Sequence, residues 1–400
     1  MTYTAEIPYG CYWSTPFAKW QGSFSGLNSV EFAAHVTKAE LARRDIDPAG
    51  FDYGVLGMSV PQKHSFYGMP WLMGMIGAER VGGPTLAQAC ATGVRCLLAA
   101  VQEIDSGLAS CSLVVTADRT SNGPHIYYPN PKGPGGTGAH EDWVMDNFGC
   151  DPLGRHSMLQ TAENVAAKHG VATQSQHDVV LRRTAQYQDA LANDKAFQKT
   201  YMTLPFDVPD PRYRKVSCVL EGDEGVTLST AEGVAKLRPV MEGGTVTFAG
   251  QTFPADGSAA MVVTSPEKAR ELSRNSAIRI QILGFGLART ELAYMPQATI
   301  PAAKQALDQA GLGIGDIDAV KTHNPFAVND IVFAKETGCD LENMNNFGCS
   351  LIWGHPQGPT GVRSIIELIE ELAARGGGLG LFSGCAAGDT AMATVIKVGD

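Results

Sequence analysis

Apolar positions in the first part of the chain alternate between helical spacing and continuous runs. Residues 29–44 carry apolar side chains three or four positions apart, which predicts a helix, and the apolar run YGVLGMSV at 53–60 predicts a buried strand. The order then repeats, because residues 86–107 have helical spacing beyond a Gly- and Thr-containing turn, and CSLVVTAD at 111–118 reads as a strand. Alternating helices and buried strands predict an α/β protein with a mainly parallel sheet.

The texture changes over residues 121–244. The stretch 122–143 is dense in Gly and Pro, which predicts a long loop, and a helical region at 161–194 precedes a polar, Pro-rich span. An insertion of this length is typical of a lid or binding loop. The segments TVTFAG (245–250) and SAAMVVTSP (258–266) then predict strands that return the chain to a sheet.

The last part of the chain repeats the first. Residues 304–323 align with residues 38–57 at an offset of 266 (304 − 38), and TGVR at 360–363 matches TGVR at 92–95 at an offset of 268 (360 − 92). Similar amphipathicity of unrelated elements is the alternative explanation. We favour a duplicated α/β half, with the matching loops near one ligand site. The predicted domains are 1–120 plus 245–268 as the first half, 121–244 as an inserted loop domain, and 269–400 as the second half.

Composition limits the class of protein. The 400 residues are 44% apolar and 18% charged, as expected for a folded chain of two or more lobes. A net charge of −10 gives no support to binding of nucleic acid or of an anionic membrane surface. Because the sequence has no apolar run of about 18 residues and no signal-like N-terminus, we expect a cytoplasmic protein without membrane contact.

The cysteines point to thiol chemistry rather than to disulfides or metal. Nine cysteines are an odd number, they are widely spread, and they form no CxxC pair, so we predict no metal site. Cys90 stands at the start of a predicted helix, where the helix terminus favours a thiolate and would lower the thiol pKa. The alternative for Cys90, taken alone, is a packed core thiol.

Three further loops offer reactive groups. His355 lies in GHPQGPTG, between Gly354 and Pro356, and this restricted position suits a general base. His323 and Asn324 follow a strand-like run, and Cys385 lies in SGCAAGD. Structural hydrogen bonding is the alternative for each histidine. Together the loops predict covalent catalysis by a thiolate that a histidine activates, next to an oxyanion site and a second thiol.

The motifs QACATG, TAENVA, HNPF, GHPQGPTG and SGCAAGD occur in an order that resembles the thiolase family over nearly the whole chain. The resemblance implies a layered α-β-α-β-α fold and transfer of an acyl group between a 3-oxoacyl-CoA and coenzyme A, which is a substrate, without a tightly bound cofactor. It implies that Cys90 is acylated, that His355 deprotonates it, and that Cys385 is a second acid/base. His323 would help to form one oxyanion hole, and the supporting positions would be Asn324, Ala387 and Gly388.

Two departures from the family pattern concern the oxyanion sites. Many thiolases have Asn at the position of His323, and a histidine there resembles the sterol-carrier type. This leaves open whether His323 holds the enolate oxygen directly or through water. Ala386 and Ala387 stand where the family has glycines, which is compatible with a narrower pocket.

The same resemblance suggests how substrates bind. Coenzyme A would bind mainly to the inserted domain, with Arg182 or Arg183 among the candidate phosphate partners. The aromatic loops suggest a bulky or aromatic acyl group, and the candidate substrate-binding residues are Lys132, Tyr127, Tyr128, Trp143 and Phe326.

The chain further resembles catalytic subunits that act on benzoylsuccinyl-CoA in aromatic degradation. This resemblance implies a small zinc-ribbon, OB-fold partner subunit. The family implies a homodimer, with the strand at 111–118 as a candidate interface.

The sequence leaves several other functions open. A decarboxylating ketosynthase of the same fold would have no second catalytic cysteine, and a related acyl-CoA carbon–carbon lyase would have lost part of the Cys-His-Cys set. The alternative to the bulky-substrate thiolase is a sterol-carrier-type thiolase, or the related lyase acting with a zinc-ribbon partner. From another class comes a non-catalytic scaffold that binds acyl-CoA.

Overall fold

The computed structural model describes residues 3–399 of the chain, which form fourteen strands and twelve α-helices in that range. The strands are β1 (Tyr12–Ser14), β2 (Ala18–Lys19), β3 (Tyr53–Gly57), β4 (Thr85–Leu86), β5 (Cys111–Arg119), β6 (His125–Tyr128), β7 (Ala139–Asp142), β8 (Phe206–Pro209), β9 (Val216–Leu220), β10 (Ala255–Thr264), β11 (Ile280–Arg289), β12 (Ala319–His323), β13 (Gly378–Ala386) and β14 (Thr390–Val398). The helices are α1 (Ser29–Arg43), α2 (Gly68–Ile76), α3 (Thr92–Asp105), α4 (Met145–Gly149), α5 (Met158–His169), α6 (Thr173–Lys199), α7 (Ala231–Val234), α8 (Pro266–Leu272), α9 (Thr299–Ala310), α10 (Ala327–Thr337), α11 (Ser350–Trp353) and α12 (Gly358–Ala374).

The two large sheets have the same strand order and directions, which confirms the duplicated α/β fold. The first sheet runs β1-β10-β5-β3, with β4 beyond β3 and β2 beside β10, and the second runs β11-β14-β13-β12. In each, the first two of these pairs are antiparallel and the third is parallel. The expected mainly parallel sheet is therefore wrong. The chain returns to each sheet through an antiparallel strand, β10 or β14, which helix–strand alternation does not reveal.

Helices α3 and α12 form a layer between the two sheets, and each of them contacts strands of both. The matching TGVR segments lie where the two helices meet. A Cβ on Gly93 would lie 2.7 Å from the Gly358 main-chain oxygen, and one on Gly361 would lie 3.4 Å from a Val94 methyl group. The repeated Thr-Gly therefore lets two equivalent helix starts approach closely, which places the loops before them side by side.

Helix α12 is buried on all sides, from Gly358 to Leu372. Its charged residues have buried partners, since Arg363 makes ion pairs with Asp223 and Glu367, and Glu367 also pairs with Lys321. In an amphipathic surface helix, Glu367 would face solvent. Asp223 comes from the segment between the halves, so the cluster fastens that segment to the central layer.

The region between β5 and β10 contains the longer helices α5 and α6, the short helices α4 and α7, and two short hairpins. The helical region expected at 161–194 is present, interrupted at Ala192–Lys195, where the backbone leaves the helical conformation. The expected strand at 245–250 is wrong, because it forms a short 3-10 turn at Phe248–Gly250 instead. The domain boundaries stay a prediction.

Strand β5 has hydrogen-bonded neighbours on both edges, β10 and β3. It therefore has no free edge for a second copy of the chain, and the expected interface at 111–118 is wrong. The edge of the first sheet beyond β3 is β4. Across residues 3–399, no helix has the length and apolar character to cross a membrane.

Candidate active site

Cys90 lies in the sharp turn between β4 and α3, immediately before the helix N-cap Ala91. The turn places Ala89 at φ +43°. Thr92 Oγ1 holds it, since the hydroxyl donates to the Ala89 carbonyl at 2.7 Å and accepts from the Gln88 N–H at 2.8 Å. The thiol is thereby presented in front of the helix.

His355 lies in the equivalent turn before α12. Its Nδ1 is 2.7 Å from the hydroxyl of Thr360, the repeat counterpart of Thr92, and its main-chain N–H donates to the Phe253 carbonyl. Among residues 3–399, the buried Nε2 atom has no hydrogen-bond partner. A proton on Nδ1 leaves the Nε2 lone pair available as a base.

His323 ends β12 beside His355. The two imidazole rings stack with centroids 4.0 Å apart and planes inclined by 27°. His323 Nδ1 is 2.8 Å from Ser350 Oγ, and its Nε2 atom is also buried without a partner in the described part of the chain. Two unsatisfied ring nitrogens therefore belong to one small site.

Asn324 supports this arrangement and does not face the site. Its Nδ2 donates to Asp330 Oδ2 at 2.7 Å, and its Oδ1 accepts from Ser350 Oγ at 3.1 Å and from the Leu351 N–H at 3.2 Å. With both polar atoms engaged, the side chain has no free donor for an oxyanion. Its place is to orient Ser350, which in turn holds His323.

Cys90, His323 and His355 come together. One ligand-type atom from each lies within 4.8 Å of the others, and no other group of three or more His, Cys, Asp or Glu residues in the range 3–399 has a spacing suited to a metal ion. Proton transfer between a thiol and an imidazole needs the same proximity, so the grouping does not require a metal.

Burial favours the uncharged forms of these three side chains. It raises the pKa of Cys90 to about 12, against the opposing hydrogen bonds from the main-chain N–H groups of Ala387 and of Cys90 itself. Burial lowers the pKa of His355 to about 3 and that of His323 well below its usual range. The expectation that the helix start lowers the thiol pKa is therefore wrong, because desolvation outweighs it.

Cys385 lies near the end of β13, within the strand, and is fully buried. Asn329 Nδ2 is 3.3 Å from its sulfur, and Asn329 Oδ1 is buried without a hydrogen-bond partner among the described residues. Burial raises the pKa of Cys385, and a negative charge on Cys90 would raise it further. In the following turn Gly388 has φ +80°.

A cavity of about 810 Å³ opens onto Cys90 and His355. Ala387 and Gln357 also line it, and Gln357 Oε1 accepts a hydrogen bond from the Cys90 thiol at 3.2 Å. Much of the remaining wall is aromatic, and the aromatic lining residues are Trp20, Trp143, Phe148, Phe248, Phe253 and Phe326.

Several predicted substrate-binding residues lie away from this cavity. Tyr127 and Tyr128 are exposed and bond within their own hairpin, to the Gly138 N–H and to Glu141, and Lys132 is also exposed. The suggestion that Arg183 binds a phosphate is wrong, because its side chain is fully buried in an ion pair with Asp330.

The comparison with known families decides the class of this site. Residues 13–267 match the thiolase N-terminal domain, and residues 277–398 match the thiolase C-terminal domain. The chain belongs to the thiolase family. As a thiolase it is an acyltransferase, its reaction is the CoA-dependent cleavage or Claisen condensation of acyl-CoA thioesters, and coenzyme A is a substrate rather than a bound cofactor.

The similarity extends over the full length of known thiolases. The acetyl-CoA acetyltransferase of Escherichia coli K12 is 28% identical over 395 residues, covering 96% of each chain, and acetyl-CoA acetyltransferase 2 of Arabidopsis thaliana is 28% identical over 390 residues, covering 96% of this chain and 95% of the relative. The crystal structure of the Bacillus anthracis acetyl-CoA acetyltransferase has a TM-score of 0.89 at 25% identity, and human mitochondrial 3-ketoacyl-CoA thiolase in complex with CoA has 0.88 at 25%. Each covers 99% of both chains.

Sequence reasoning missed the residues that hold the reactive groups of this thiolase. Thr360 was detectable, because the internal repeat pairs it with Thr92. Gln357 stands inside the histidine motif, where its polar side chain was the signal. Asn329 and Ser350 gave no signal of their own, since their roles depend on contacts across the fold.

Proposed function

We propose that this thiolase forms an acyl-enzyme on Cys90 and cleaves a 3-oxoacyl-CoA with a bulky acyl group. The observation that carries the proposal is the grouping of Cys90, His323 and His355 at the wall of the large cavity. A nucleophile within reach of a base that a third group orients is the arrangement that covalent catalysis requires, and Thr360 orients His355.

In the first step Cys90 attacks the 3-oxo carbonyl carbon. The thiol proton passes to His355 Nε2 as the S–C bond forms, because the pKa values of about 12 and about 3 disfavour a separated ion pair before substrate arrives. Collapse of the tetrahedral intermediate breaks the carbon–carbon bond. The bonding electrons go to the thioester enolate that leaves.

Two oxyanion sites face this chemistry. The Nε2 atoms of His323 and His355 are donors for one oxygen, provided that each carries a proton there. For His323 this requires the single hydroxyl proton of Ser350 to turn from Asn324 Oδ1 to His323 Nδ1, which is 2.8 Å from the Ser350 oxygen. The main-chain N–H groups of Cys90 and Ala387 already point at the sulfur and suit the other oxygen.

Cys385 serves the second half of the reaction. As a neutral thiol it has a proton to give to the α-carbon of the enolate, and its thiolate then takes the proton from the incoming coenzyme A thiol. Asn329 Nδ2 is placed to donate to that thiolate. Coenzyme A then attacks the acyl group on Cys90 and releases it as a new thioester.

The cavity supports a bulky acyl group. Its volume of about 810 Å³ lies in the upper part of the range usual for small-molecule sites, about 300–1,000 Å³. Trp143 is fixed in the wall by its Nε1 hydrogen bond to the Ser59 carbonyl at 2.9 Å. A fixed aromatic wall favours a flat apolar group such as an aryl ring.

Substrate choice is tested by thiolysis. Under the proposal, kcat/KM with an aryl-substituted 3-oxoacyl-CoA, for which benzoylsuccinyl-CoA is the specific candidate, exceeds kcat/KM with acetoacetyl-CoA. A clear preference for acetoacetyl-CoA would refute the bulky-substrate proposal and leave the nucleophile proposal standing.

The assembly is part of the same proposal. We expect a cytoplasmic homodimer, with a small zinc-ribbon, OB-fold subunit as candidate partner. Co-purification from the native source, followed by mass spectrometry of the associated chains and bound CoA esters, tests this. Recovery of the chain alone as a monomer would contradict it.

A further inference from the structure

Gln357 occupies an unusual backbone position next to Cys90. Its φ of +64° and ψ of −106° belong to a region that side chains other than glycine rarely adopt. Such strain persists where the surrounding structure imposes it, and it concentrates at functional sites. The residue is buried, with 4% of its surface exposed, and it lines the cavity.

The side chain of Gln357 is free to face the thiol because another residue caps its helix. Gln357 is the N-cap of α12, but its side chain makes no capping hydrogen bond. The Gly358 N–H instead donates to Asp118 Oδ2 at 2.9 Å, and Asp118 also accepts from the N–H groups of Ser59 and Val60. A carboxylate from the first half thus binds the helix start of the second half.

The amide then has one atom engaged and one available. Oε1 accepts from the Cys90 thiol at 3.2 Å, whereas Nε2 has no hydrogen-bond partner among residues 3–399. An amide that lines the cavity beside a nucleophile, with a donor that no described residue occupies, is suited to a second hydrogen-bonding state. Rotation about the terminal side-chain torsion exchanges the two atoms without moving the backbone.

We propose that Gln357 hydrogen-bonds Cys90 in both of its protonation states, with Oε1 accepting from the thiol before reaction and Nε2 donating to the sulfur as it becomes negative. This rests on the proposed role of Cys90 as nucleophile. During the step the S–H bond breaks, the proton binds His355 Nε2, and the electron pair left on sulfur, where negative charge builds up, goes on to form the S–C bond. The amide turns and supplies its N–H to that pair.

The surroundings of Cys90 explain why such a donor matters. The titratable groups that face it are the neutral histidines His323 and His355, the neutral thiol Cys385, and Asp118, whose negative charge raises the thiol pKa. None of these is a permanent cation. A hydrogen bond to a charged group contributes about 1.5–3 kcal/mol, which corresponds to about one to two pKa units.

The test measures the reactivity of Cys90 directly and needs no turnover. In the full-length protein, the rate of Cys90 alkylation by iodoacetamide is followed between pH 7 and pH 9 by peptide mass spectrometry. We expect Gln357→Met, which keeps the side-chain length, and Gln357→Gly, which relieves the backbone strain, to slow alkylation about tenfold at each pH. Gln88→Met is the matched control, because the Gln88 amide bonds Arg95 and not the sulfur.

The pair of variants separates the amide from packing, since methionine preserves the side-chain volume and glycine enlarges the cavity. Equal slowing in both supports the proposal, whereas slowing in Gln357→Met alone, or wild-type rates in both, would overturn it. Thermal unfolding of each variant verifies folding. Wild-type alkylation rates in the Gln357 variants, together with normal acylation of Cys90, would refute the role of Gln357 and leave the proposed function intact. Turnover by Cys90→Ser would refute the proposed function itself.

Discussion

His323 and His355 stack as two neutral imidazoles, and the Nδ1 atom of each ring is hydrogen-bonded to its own hydroxyl group. Ser350 holds His323, and Thr360 holds His355. Both Nε2 atoms are buried without a partner in the described residues, and one nitrogen of each ring lies within 4.8 Å of the Cys90 sulfur. The pair has two tasks in the proposed chemistry, one of base and one of oxyanion donor.

Substitutions of the two histidines should affect different steps of the reaction. His355→Gln removes the base, so we expect acylation of Cys90 to fall by about 10²–10⁴-fold. His323→Ala removes an oxyanion donor, so we expect a loss of about 10²–10³-fold in kcat for carbon–carbon cleavage. His156→Gln, at a buried histidine outside the cavity lining, is the control. Rapid-quench mass spectrometry measures acylation and steady-state assays measure turnover; equal rates in His355→Gln and wild type would contradict the assignment.

Stability should depend on pH through His355. Its folded-state pKa of about 3 lies below the unfolded value of 6.5, so the unfolded state binds more protons and stability falls as pH drops below about 6.5. Between pH 7 and pH 5 the loss from this one group is roughly 2 kcal/mol. Urea unfolding at the two pH values measures it. His355→Asn should show a smaller loss than wild type, and an identical pH dependence would contradict a buried neutral histidine.

Cys385 and Cys96 are both buried thiols, so Cys96 is a control for substitution of Cys385. We expect Cys385→Ala to keep acylation of Cys90 by an acyl-CoA donor and to lose at least about 100-fold in carbon–carbon cleavage, because the second acid/base is gone. Cys96→Ala, in the packed face of α3, should keep its turnover and lose about 1 kcal/mol of stability. Comparable turnover in the two variants would contradict the role of Cys385.

The internal repeat supplies a control for the buried ion cluster. Arg363 makes two hydrogen bonds to Asp223, at 2.6 and 2.8 Å, and is fully buried, whereas its repeat counterpart Arg95 is partly exposed and bonds Gln88. Asp223→Ala should destabilise the fold by about 3–5 kcal/mol, since it leaves a buried cation without this partner. Arg95→Met should cost about 1 kcal/mol or less. Chemical unfolding of Asp223→Ala, Arg363→Met and the double variant measures the coupling between the two residues. Equal losses of stability in Arg363→Met and Arg95→Met would contradict the role of burial.

The internal repeat shows how far this sequence predicts its fold. The shared TGVR placed α3 and α12 in equivalent positions, and local spacing revealed their apolar faces. Strand β14 was missed although TAMATVIKV contains β-branched residues, because β10, its counterpart in the repeat, lies beyond the insertion in the first half. The sequence also gave no sign that the charged residues of α12 are buried, since only the second sheet and the Asp223 segment explain why Glu367 is buried.

The candidate site was predictable in its reactive groups and not in its electrostatics. Motifs identified Cys90, His355 and Cys385, and the helix start suggested a lowered thiol pKa. Burial reverses that sign, and burial depends on packing from both halves. The same limit applies to Lys132, since a charge in a loop is visible in the sequence but the direction of that loop is not.

Mass spectrometry of the acyl-enzyme tests the central claim most directly. The protein is mixed with its 3-oxoacyl-CoA without free coenzyme A, quenched in acid, digested and mapped. We expect one added acyl group on the Cys90 peptide, and none in Cys90→Ser. An acyl group on another cysteine, or full turnover by Cys90→Ser, would contradict it.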